Sequence, residues 1–429
     1  HNVKKILKAL KNARKSDKPF AIIAKTLKGK GVSFLENKEG WHGKALSREE
    51  LEKALKEIGN SENSDKLNKN SQNSLMDNCK NYKLNNTIIH TQMPQINIVK
   101  PLKIKFEFRN GEVIKNEYNL GDEIATRESY GNALASLAKS DQRVIAVDGE
   151  VSNSTFSEKI KRANEKQFIE AFIAEQNMVG ICLGLSKKGF NVYGSSFAAF
   201  LSRAHDQIRM SALSSGNFTL CGSHCGVSIG EDGASQLGLE DISMFRALPG
   251  SYVFYPSDAV STEKVVNLCS ELKGIKYIRT TRGKTKVIYK NEEKFSLGEF
   301  KVLRESRRDK VVLVGSGITL HEALKAYEGL KKNKIESAVI DLYCIKPFNT
   351  EKFIDFVKKH GGKVVIAEDH YKEGGIGEML CSNLINSGIK IECLNVKKIP
   401  HSGKPEELLE KYEIDSKAII KLARELANR

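Results

Sequence analysis

The fold is decided by residues 168–177, which read Phe168-Ile169-Glu170-Ala171-Phe172-Ile173-Ala174-Glu175-Gln176-Asn177. The six mainly apolar residues at the start predict a buried β-strand, and the small residues after Glu175 predict a helix that follows it directly. A carboxylate at this junction is either a first-turn residue that interacts with the helix dipole or a partly desolvated functional group. The junction alone leaves both roles open.

The same strand-to-helix pattern extends over most of the chain. From about Ala125, apolar runs alternate with helical patterns at residues 144–147, 191–193, 218–221, 252–255 and 276–278. A second set follows Phe300, at residues 311–314, 337–340, 363–366 and 391–394. We therefore predict an α/β fold with parallel sheets covered by helices, plus a C-terminal α/β domain.

The region before Ala125 has a different character. Its first part predicts a helix at residues 3–13, a strand at residues 19–24, a Gly-containing loop and a second helix that ends near Ile58. Residues 60–98 are rich in Asn, Ser and Lys and show no sustained apolar period. Such a composition is typical of a linker or a disordered insertion.

Composition excludes several classes of function. The net charge of +16 comes from lysines and arginines that are mixed with acidic residues along predicted helices such as residues 47–57 and 404–424. Without a basic arm or interleaved aromatics, this charge argues against nucleic-acid binding. No run of about 18 apolar residues is present, so we expect no membrane span. The eight cysteines are scattered, as in proteins of a reducing cytoplasm. The first residues lack an initiator Met and the apolar core of a signal peptide, so we expect that the natural protein starts earlier.

Two motifs downstream of Glu175 can be explained either by ordinary packing and turns or by ligand binding. Phe197 and Phe200 lie three residues apart on a predicted helix start, a spacing that is more typical of core packing than of a cofactor pocket. Residues 221–236 form a loop rich in small residues with interspersed His, Asp and Gln, which either approaches a ligand closely or makes a tight surface turn. Cys221, His224 and Cys225 lack a second ligand pair, so we expect no metal in this loop.

Arginine side chains form the last candidate cluster. They stand in Thr126-Arg127-Glu128-Ser129-Tyr130-Gly131 and in Arg279-Thr280-Thr281-Arg282-Gly283. Guanidinium groups bind phosphate through two parallel hydrogen bonds. Each arginine alone is typical of a surface charge, but together with Ser154, at a predicted helix start, they could hold a phosphosugar.

As an ensemble, these motifs resemble the pyrimidine-binding domain of transketolases, which are thiamine-diphosphate enzymes. The resemblance is greatest to the animal type, because Gly230-Glu231-Asp232-Gly233-Ala234-Ser235-Gln236 has Gln where bacterial and yeast forms have His. Lys25-Thr26-Leu27-Lys28-Gly29-Lys30-Gly31 and Trp41-His42-Gly43-Lys44 resemble the end of the family's diphosphate-binding domain. The implied segments are a remnant of that domain at 1–59, the insertion at 60–119, the pyrimidine-binding domain at 120–295 and the C-terminal domain at 296–429.

The resemblance also implies roles for individual residues. Glu175 would bond the aminopyrimidine ring nitrogen of thiamine diphosphate and act in catalysis, and Lys28 and Lys44 would lie near the cofactor or the phosphosugar. His42 would transfer a proton near the substrate. The remaining cofactor contacts would be Phe197, Phe200 and Gln236, and the remaining phosphosugar contacts Arg127, Ser154, His224, Asp232 and Arg282.

The family holds Mg²⁺ and the diphosphate with a Gly-Asp-Gly motif and a downstream Asn, and this sequence contains no such motif. The metal ligands are therefore expected outside this segment. The family also builds its active site between two subunits, which implies a homodimer that binds phosphosugars, transfers a two-carbon ketol unit and belongs to the pentose phosphate pathway. The alternatives are a split or non-catalytic transketolase-like subunit, or an enzyme resembling deoxyxylulose-phosphate synthase or the pyruvate dehydrogenase β chain.

Overall fold

The computed structural model describes residues 1–18, 20–41, 44–59 and 115–428. The chain divides into two compact units, His1–Ile104 and Lys105–Arg429. The sequence-predicted insertion therefore lies almost entirely outside the described residues.

The described part of the first unit consists of two helices and the loops beside them. The helices are α1 (Val3–Ala13) and α2 (Arg48–Gly59), and the Asn2 side chain caps α1 by accepting a hydrogen bond from the Lys5 amide at 3.1 Å. The strand predicted at residues 19–24 is wrong for the described residues 20–24, which belong to no strand. Since no other strand is found in the described part of this unit, a strand there would have no pairing partner.

The second unit contains all the strands of the described ranges. They are β1 (Glu123–Ala125), β2 (Val144–Asp148), β3 (Phe168–Glu170), β4 (Asn191–Phe197), β5 (Phe218–Ser223), β6 (Tyr252–Phe254), β7 (Ile275–Arg279), β8 (Lys284–Lys286), β9 (Lys301–Arg304), β10 (Val311–Gly315), β11 (Ser337–Asp341), β12 (Cys344–Lys346), β13 (Lys363–Tyr371) and β14 (Lys390–Val396).

Within residues 115–428, twelve α-helices connect these strands or follow them. They are α3 (Thr126–Ser140), α4 (Ser152–Thr155), α5 (Glu158–Ala163), α6 (Glu175–Lys187), α7 (His205–Leu213), α8 (Asp241–Arg246), α9 (Ala259–Glu271), α10 (Ile318–Lys332), α11 (Thr350–Lys359), α12 (Ile376–Asn383), α13 (Pro405–Lys411) and α14 (Ser416–Asn428). Short 3₁₀ helices lie at Glu165–Gln167, Phe200–Ala204 and Val227–Ile229.

Two large sheets organise this unit. The first has seven strands in the order β12-β6-β7-β5-β4-β2-β3, and every neighbouring pair is parallel except β12 with β6. The second has five strands in the order β14-β13-β10-β11-β9, and only β9 is antiparallel to its neighbour. Every residue of β2, β5, β7, β10 and β11 is buried, as expected for parallel strands covered by helices on both faces. The predicted α/β fold with a C-terminal α/β domain is confirmed.

Strand β12 crosses between the two parts of the unit. It lies in sequence between β11 and β13 of the second sheet, yet it forms the edge of the first sheet, with Cys344 opposite Phe254. Buried side-chain contacts reinforce this connection, because Asp341 accepts hydrogen bonds from Ser257 at 2.8 Å and from Tyr289 at 2.7 Å. The two sheets are therefore joined by backbone pairing as well as by side-chain packing.

Two predicted elements differ in extent from the structure. The strand predicted at 168–173 ends at Glu170, because the Glu170 carboxylate accepts hydrogen bonds from the Glu150 and Phe172 amides and the backbone turns there. The helical pattern at 404–424 is divided into α13 and α14, since Glu413 adopts a φ of 57° and stops the first helix. No helix in the described ranges is long and apolar enough to cross a membrane.

Candidate active site

Glu175 lies at the carboxyl end of the first sheet, where open α/β sheets hold their ligands. It is the first residue of α6, and its side chain is buried. One carboxylate oxygen accepts a hydrogen bond from Ser196 at 3.2 Å, and both accept from a single guanidinium nitrogen of Arg203, at 3.0 and 3.1 Å. Gly149 lies close to the same residues, because a Cβ atom there would lie 3.3 Å from Ser196 Oγ and 3.8 Å from Glu175 Cγ.

Three stacked rings lie beside Glu175 at the carboxyl end of the first sheet. The Phe197 ring stacks on His224, with 3.9 Å between ring centroids, and on Phe200, with 5.0 Å. The prediction that Phe197 and Phe200 share a helix start is wrong, since Phe197 ends β4 and Phe200 begins a 3₁₀ helix. The guanidinium of Arg203 lies 4.6 Å from the Phe200 ring centroid, so the aromatic row and the carboxylate share one cation.

His224 is held in an unusual backbone conformation. Its φ is 56°, which is uncommon for a residue other than glycine and is often found at functional sites. Its Nδ1 atom lies 2.9 Å from the Ser223 hydroxyl oxygen. Burial lowers the pKa of His224 to about 3, and the positive charges of Arg127 and Arg282 act in the same direction. His224 is therefore neutral at pH 7, so one of its ring nitrogens can donate a hydrogen bond and the other can accept one.

The two predicted phosphate-binding arginines lie side by side. Arg127 donates from Nε to the backbone carbonyl of Arg282 at 3.2 Å and from a terminal nitrogen to the carbonyl of Ser154 at 2.8 Å. Burial and the nearby Arg282 charge lower the pKa of Arg127. Arg282 forms ion pairs with Glu231 at 3.2 Å and Asp232 at 3.7 Å. The structure thus brings Arg127, Ser154, Asp232 and Arg282 together.

The glycine-rich loop runs from Gly226 to Gly238 and carries Asp232 and Gln236. The Gly226 amide donates to the Gly238 carbonyl at 2.7 Å, which closes the loop at its base. Gly238 packs so tightly on the segment after Phe197 that a Cβ atom there would lie 2.6 Å from the Ala198 Cβ. The loop therefore borders the stacked rings, and within it the Gln236 amide donates to the Gly233 carbonyl at 3.0 Å.

The position of Ser154 is set by a buried carboxylate that was not selected from the sequence. Asp148 ends β2 and accepts hydrogen bonds from the Thr155 and Ser157 hydroxyls, both at 2.7 Å, and from the Val151 amide at 2.7 Å. Burial raises the pKa of Asp148 to about 6. These bonds shape the turn that carries Ser154, whose own helix α4 has only four residues.

Arg203 and Ser196 contact Glu175 in the candidate site, although sequence reasoning did not select them. Arg203 stands six residues after Phe197, and nothing in its spacing connects it with Glu175. Ser196 has a usable signal, because it directly precedes Phe197 on β4 and so lies at the carboxyl end of a strand.

Arg279, which was grouped with the phosphate-binding arginines, has a structural role. It is fully buried and donates to Asp241 at 2.7 Å, to the Gly238 carbonyl at 2.9 Å and to the Asp369 carbonyl at 2.8 Å. Its guanidinium also lies over the Tyr255 ring at 4.5 Å. These contacts leave Arg279 inside the protein, whereas Arg282 stays partly exposed.

The remaining predicted residues belong to the first unit. Lys28 lies in an exposed loop. Its backbone carbonyl accepts a hydrogen bond from the Asn37 backbone amide at 2.9 Å. The Lys44 ammonium lies over the Trp41 ring at 4.4 Å. His42 lies outside the described residues. Within the described ranges, no group of three or more His, Cys, Asp and Glu side chains is placed to hold a metal ion.

Comparison with protein families gives three matches along the chain. Residues 1–87 match the thiamine diphosphate binding domain of transketolase, residues 122–287 match the transketolase pyrimidine binding domain, and residues 298–419 match the transketolase C-terminal domain.

Individual relatives agree with these matches. Transketolase of Mus musculus is 44% identical over 431 residues, which cover 100% of this chain and 65% of the relative. Transketolase-like protein 2 of Mus musculus is 46% identical over 424 residues, covering 98% and 64%. The chain thus spans about two thirds of the length of these curated relatives. A solved structure described as a split gene transketolase, inactive β4 tetramer, is 31% identical, has a TM-score of 0.65 and covers 72% of this chain and 99% of that chain.

Proposed function

Because this chain belongs to the transketolase family, we propose that it carries the pyrimidine-binding and phosphosugar-binding half of a transketolase active site. The activity would be the transfer of a two-carbon ketol unit from a ketose phosphate to an aldose phosphate. The observation that supports this proposal most is a row of side chains at the carboxyl end of the first sheet. The row begins at the buried Glu175, continues through the Phe197–His224 stack and ends at the neighbouring Arg127 and Arg282.

The residues around Glu175 fit the aminopyrimidine ring of thiamine diphosphate. A buried carboxylate suits a ring nitrogen, and the Phe197 and Phe200 rings make the wall beside it apolar. In this proposal Glu175 bonds the ring and Gln236 lies near it. When bound, the cofactor supplies an electron sink for carbon–carbon bond cleavage. Arg203 would have to leave the carboxylate before Glu175 could bond another partner.

The other end of the row fits a phosphorylated sugar. Arg127 and Arg282 carry the positive charge that a phosphate group requires, and Ser154 supplies polar groups beside them. His224 is neutral, so it can donate or accept a hydrogen bond with a sugar hydroxyl without repelling the arginines. Asp232 would accept from a hydroxyl group, since its carboxylate lies next to Arg282.

The rest of the enzyme is proposed from the family. Mg²⁺ and the diphosphate would be held by residues that this sequence does not contain, with Lys28 near the cofactor and His42 near the substrate. We place the protein in a homodimer with the site at the subunit interface, and in the pentose phosphate pathway of the cytoplasm. Membership of the family and the scattered cysteines support this placement.

A second candidate is a subunit of a split transketolase, or a related subunit without catalysis of its own. The observation that favours it is the match to 99% of a chain from a split-gene transketolase whose tetramer is described as inactive. In that case the substrate half of the site would need a second chain that supplies the diphosphate half.

Binding of ribose 5-phosphate tests the phosphosugar half. We expect the chain to bind this sugar, and the dissociation constant to rise about tenfold in Arg282→Leu and in Arg127→Leu, because each change removes a charge-assisted hydrogen-bond donor. The exposed Arg308→Leu serves as the matched control and should bind as the unchanged chain does. No binding, or an equal loss in Arg308→Leu, would contradict the proposal.

An activity assay separates the catalytic from the non-catalytic candidate. The chain is mixed with thiamine diphosphate, Mg²⁺ and a separately expressed diphosphate-binding domain of an animal transketolase, and sedoheptulose 7-phosphate is measured with xylulose 5-phosphate and ribose 5-phosphate as substrates. We expect product formation, and a loss of about 100-fold in Glu175→Gln. Sugar binding without any product would favour the non-catalytic subunit.

A further inference from the structure

The glycine-rich loop at Gly226–Gly238 is held from the C-terminal part of the chain. Strand β13 pairs with β10 only at residues 364–366, and its last residues extend beyond this pairing to the loop. There the buried Asp369 accepts a hydrogen bond from the Val227 amide through Oδ1 at 2.7 Å. The Tyr371 amide also donates to the Leu239 carbonyl at 3.2 Å, just after the loop ends.

The Asp369 carboxylate fits against the loop without spare room. Gly226 has a φ of 76°, and a Cβ atom there would lie 1.9 Å from Asp369 Oδ2 and 2.2 Å from Cγ. A side chain at position 226 would therefore displace either the loop or the carboxylate. The glycine is required here both for the backbone conformation and for the close approach of Asp369.

Arg279 fixes Asp369 and the end of the loop to each other. One of its terminal nitrogens donates to the carbonyls of both Gly238 and Asp369, at 2.9 and 2.8 Å. The first and last glycines of the loop are bonded to each other as well. The loop base thus has contacts on three sides, and one of them comes from another domain.

We propose that Asp369 is a positioning residue for the phosphosugar end of the site, which fixes the Gly226–Val227 backbone and thereby the place of His224. His224 precedes Gly226 by two residues and has a left-handed backbone, so a shift of the loop base changes the direction of its ring. Its ring stacks on Phe197 and is close enough to Arg127 and Arg282 to respond to their charges. The inference rests on the proposed function, because the phosphosugar is the ligand named there.

The test compares three variants of the full chain. Asp369→Ala removes the acceptor, whereas Asp369→Asn keeps an oxygen that can still accept from the Val227 amide. Asp341→Ala is the matched control, since Asp341 is an equally buried aspartate that bonds Ser257 and Tyr289 and does not touch the loop. If circular dichroism shows that Asp369→Ala does not fold, Asp369→Thr replaces it, because threonine retains bulk but its hydroxyl is too short to reach the amide.

Three quantities are measured, the first two by NMR. In Asp369→Ala we expect the Val227 amide to exchange with solvent about tenfold faster. The pKa of the His224 imidazole should rise by about one unit from its depressed value as the ring becomes more accessible to water. The dissociation constant of ribose 5-phosphate should rise about tenfold. Asp369→Asn should stay within about twofold of the unchanged chain in exchange rate and affinity.

Each other outcome is decisive. Unchanged Val227 exchange and His224 pKa in Asp369→Ala, or equal changes in Asp341→Ala, would overturn the inference. A faster Val227 amide exchange or a raised His224 pKa with unchanged affinity for ribose 5-phosphate would also overturn it, because the loop would then not position the ligand site. If the unchanged chain binds no ribose 5-phosphate, the proposed function fails, while the loop values still show whether Asp369 positions His224.

Discussion

Arg203 covers the carboxylate of Glu175 on its solvent side. The side chain of Glu175 is 1% exposed, whereas that of Arg203 is 52% exposed and donates to both carboxylate oxygens. Any ligand that forms a hydrogen bond with Glu175 must therefore compete with this guanidinium. The free energy needed to break the Arg203–Glu175 pair is therefore subtracted from the binding free energy of such a ligand.

Removal of the guanidinium is expected to destabilise the fold. Arg203→Met leaves a buried carboxylate that still accepts a hydrogen bond from Ser196, so we expect the free energy of unfolding to fall by about 2 kcal/mol. Urea denaturation measures this change. The double variant Glu175→Gln/Arg203→Met should recover most of the loss, because it removes the unpaired charge. A double variant whose loss equals the sum of the two single losses would show that the pair is not coupled.

Acid should destabilise the protein through His224. The unfolded side chain has a pKa of about 6.5, and in the folded protein burial lowers the pKa to about 3. As the pH falls below 6.5, the unfolded state takes up a proton that the folded state does not, so stability is full above that pH and is lost towards pH 3. This contribution amounts to about 2 kcal/mol between pH 7 and pH 5.

The measurement is a series of urea denaturations from pH 7 to pH 5. We expect His224→Gln to lose less stability over this range than the unchanged chain does. His205→Gln provides the control, because His205 is exposed and should leave the pH dependence as it was. An equal slope in the His224 variant and the unchanged chain would contradict the assignment of a neutral, buried His224.

Two glycines with similar backbones should respond differently to alanine. Gly226 and Gly250 have φ values of 76° and 66°, but a Cβ atom would meet neighbours within 4 Å only at Gly226, the nearest being Asp369 Oδ2. Gly250→Ala should cost about 1 kcal/mol, from the left-handed backbone alone. Gly226→Ala should cost about 2 kcal/mol more, because it also overpacks the loop base. Thermal or urea denaturation of both variants measures the difference, and equal losses would mean that the close approach of Asp369 is not limiting.

Sequence patterns predicted the fold well where strands are buried on both faces. The runs at 144–147, 311–314 and 337–340 are almost entirely apolar, and the strands formed there have no exposed residue. The pattern failed at residues 171–173, where Phe172 and Ile173 are apolar but exposed in a turn. Hydrogen bonds to the Glu170 carboxylate determine that turn, and apolar periodicity carries no information about them.

The membership of the candidate site came from the family resemblance, since each local motif alone left its role open. The structure brings Glu175, Phe197, Arg127 and Arg282 to the carboxyl end of the first sheet, and their roles stay predictions. The bonds of Glu175 with Arg203 and of Val227 with Asp369 were not predicted. They join residues 28 and 142 positions apart, and such pairs depend on how whole strands and helices are arranged.

Strand β12 has a practical consequence for anyone who wishes to divide this protein. A cut between residues 295 and 296 would remove the partner of β6 and leave an unpaired row of backbone amides and carbonyls at the edge of the first sheet. Such an edge readily recruits a strand from another molecule, so the isolated fragment would tend to aggregate. The two α/β parts are therefore better treated as one cooperative folding unit than as interchangeable modules.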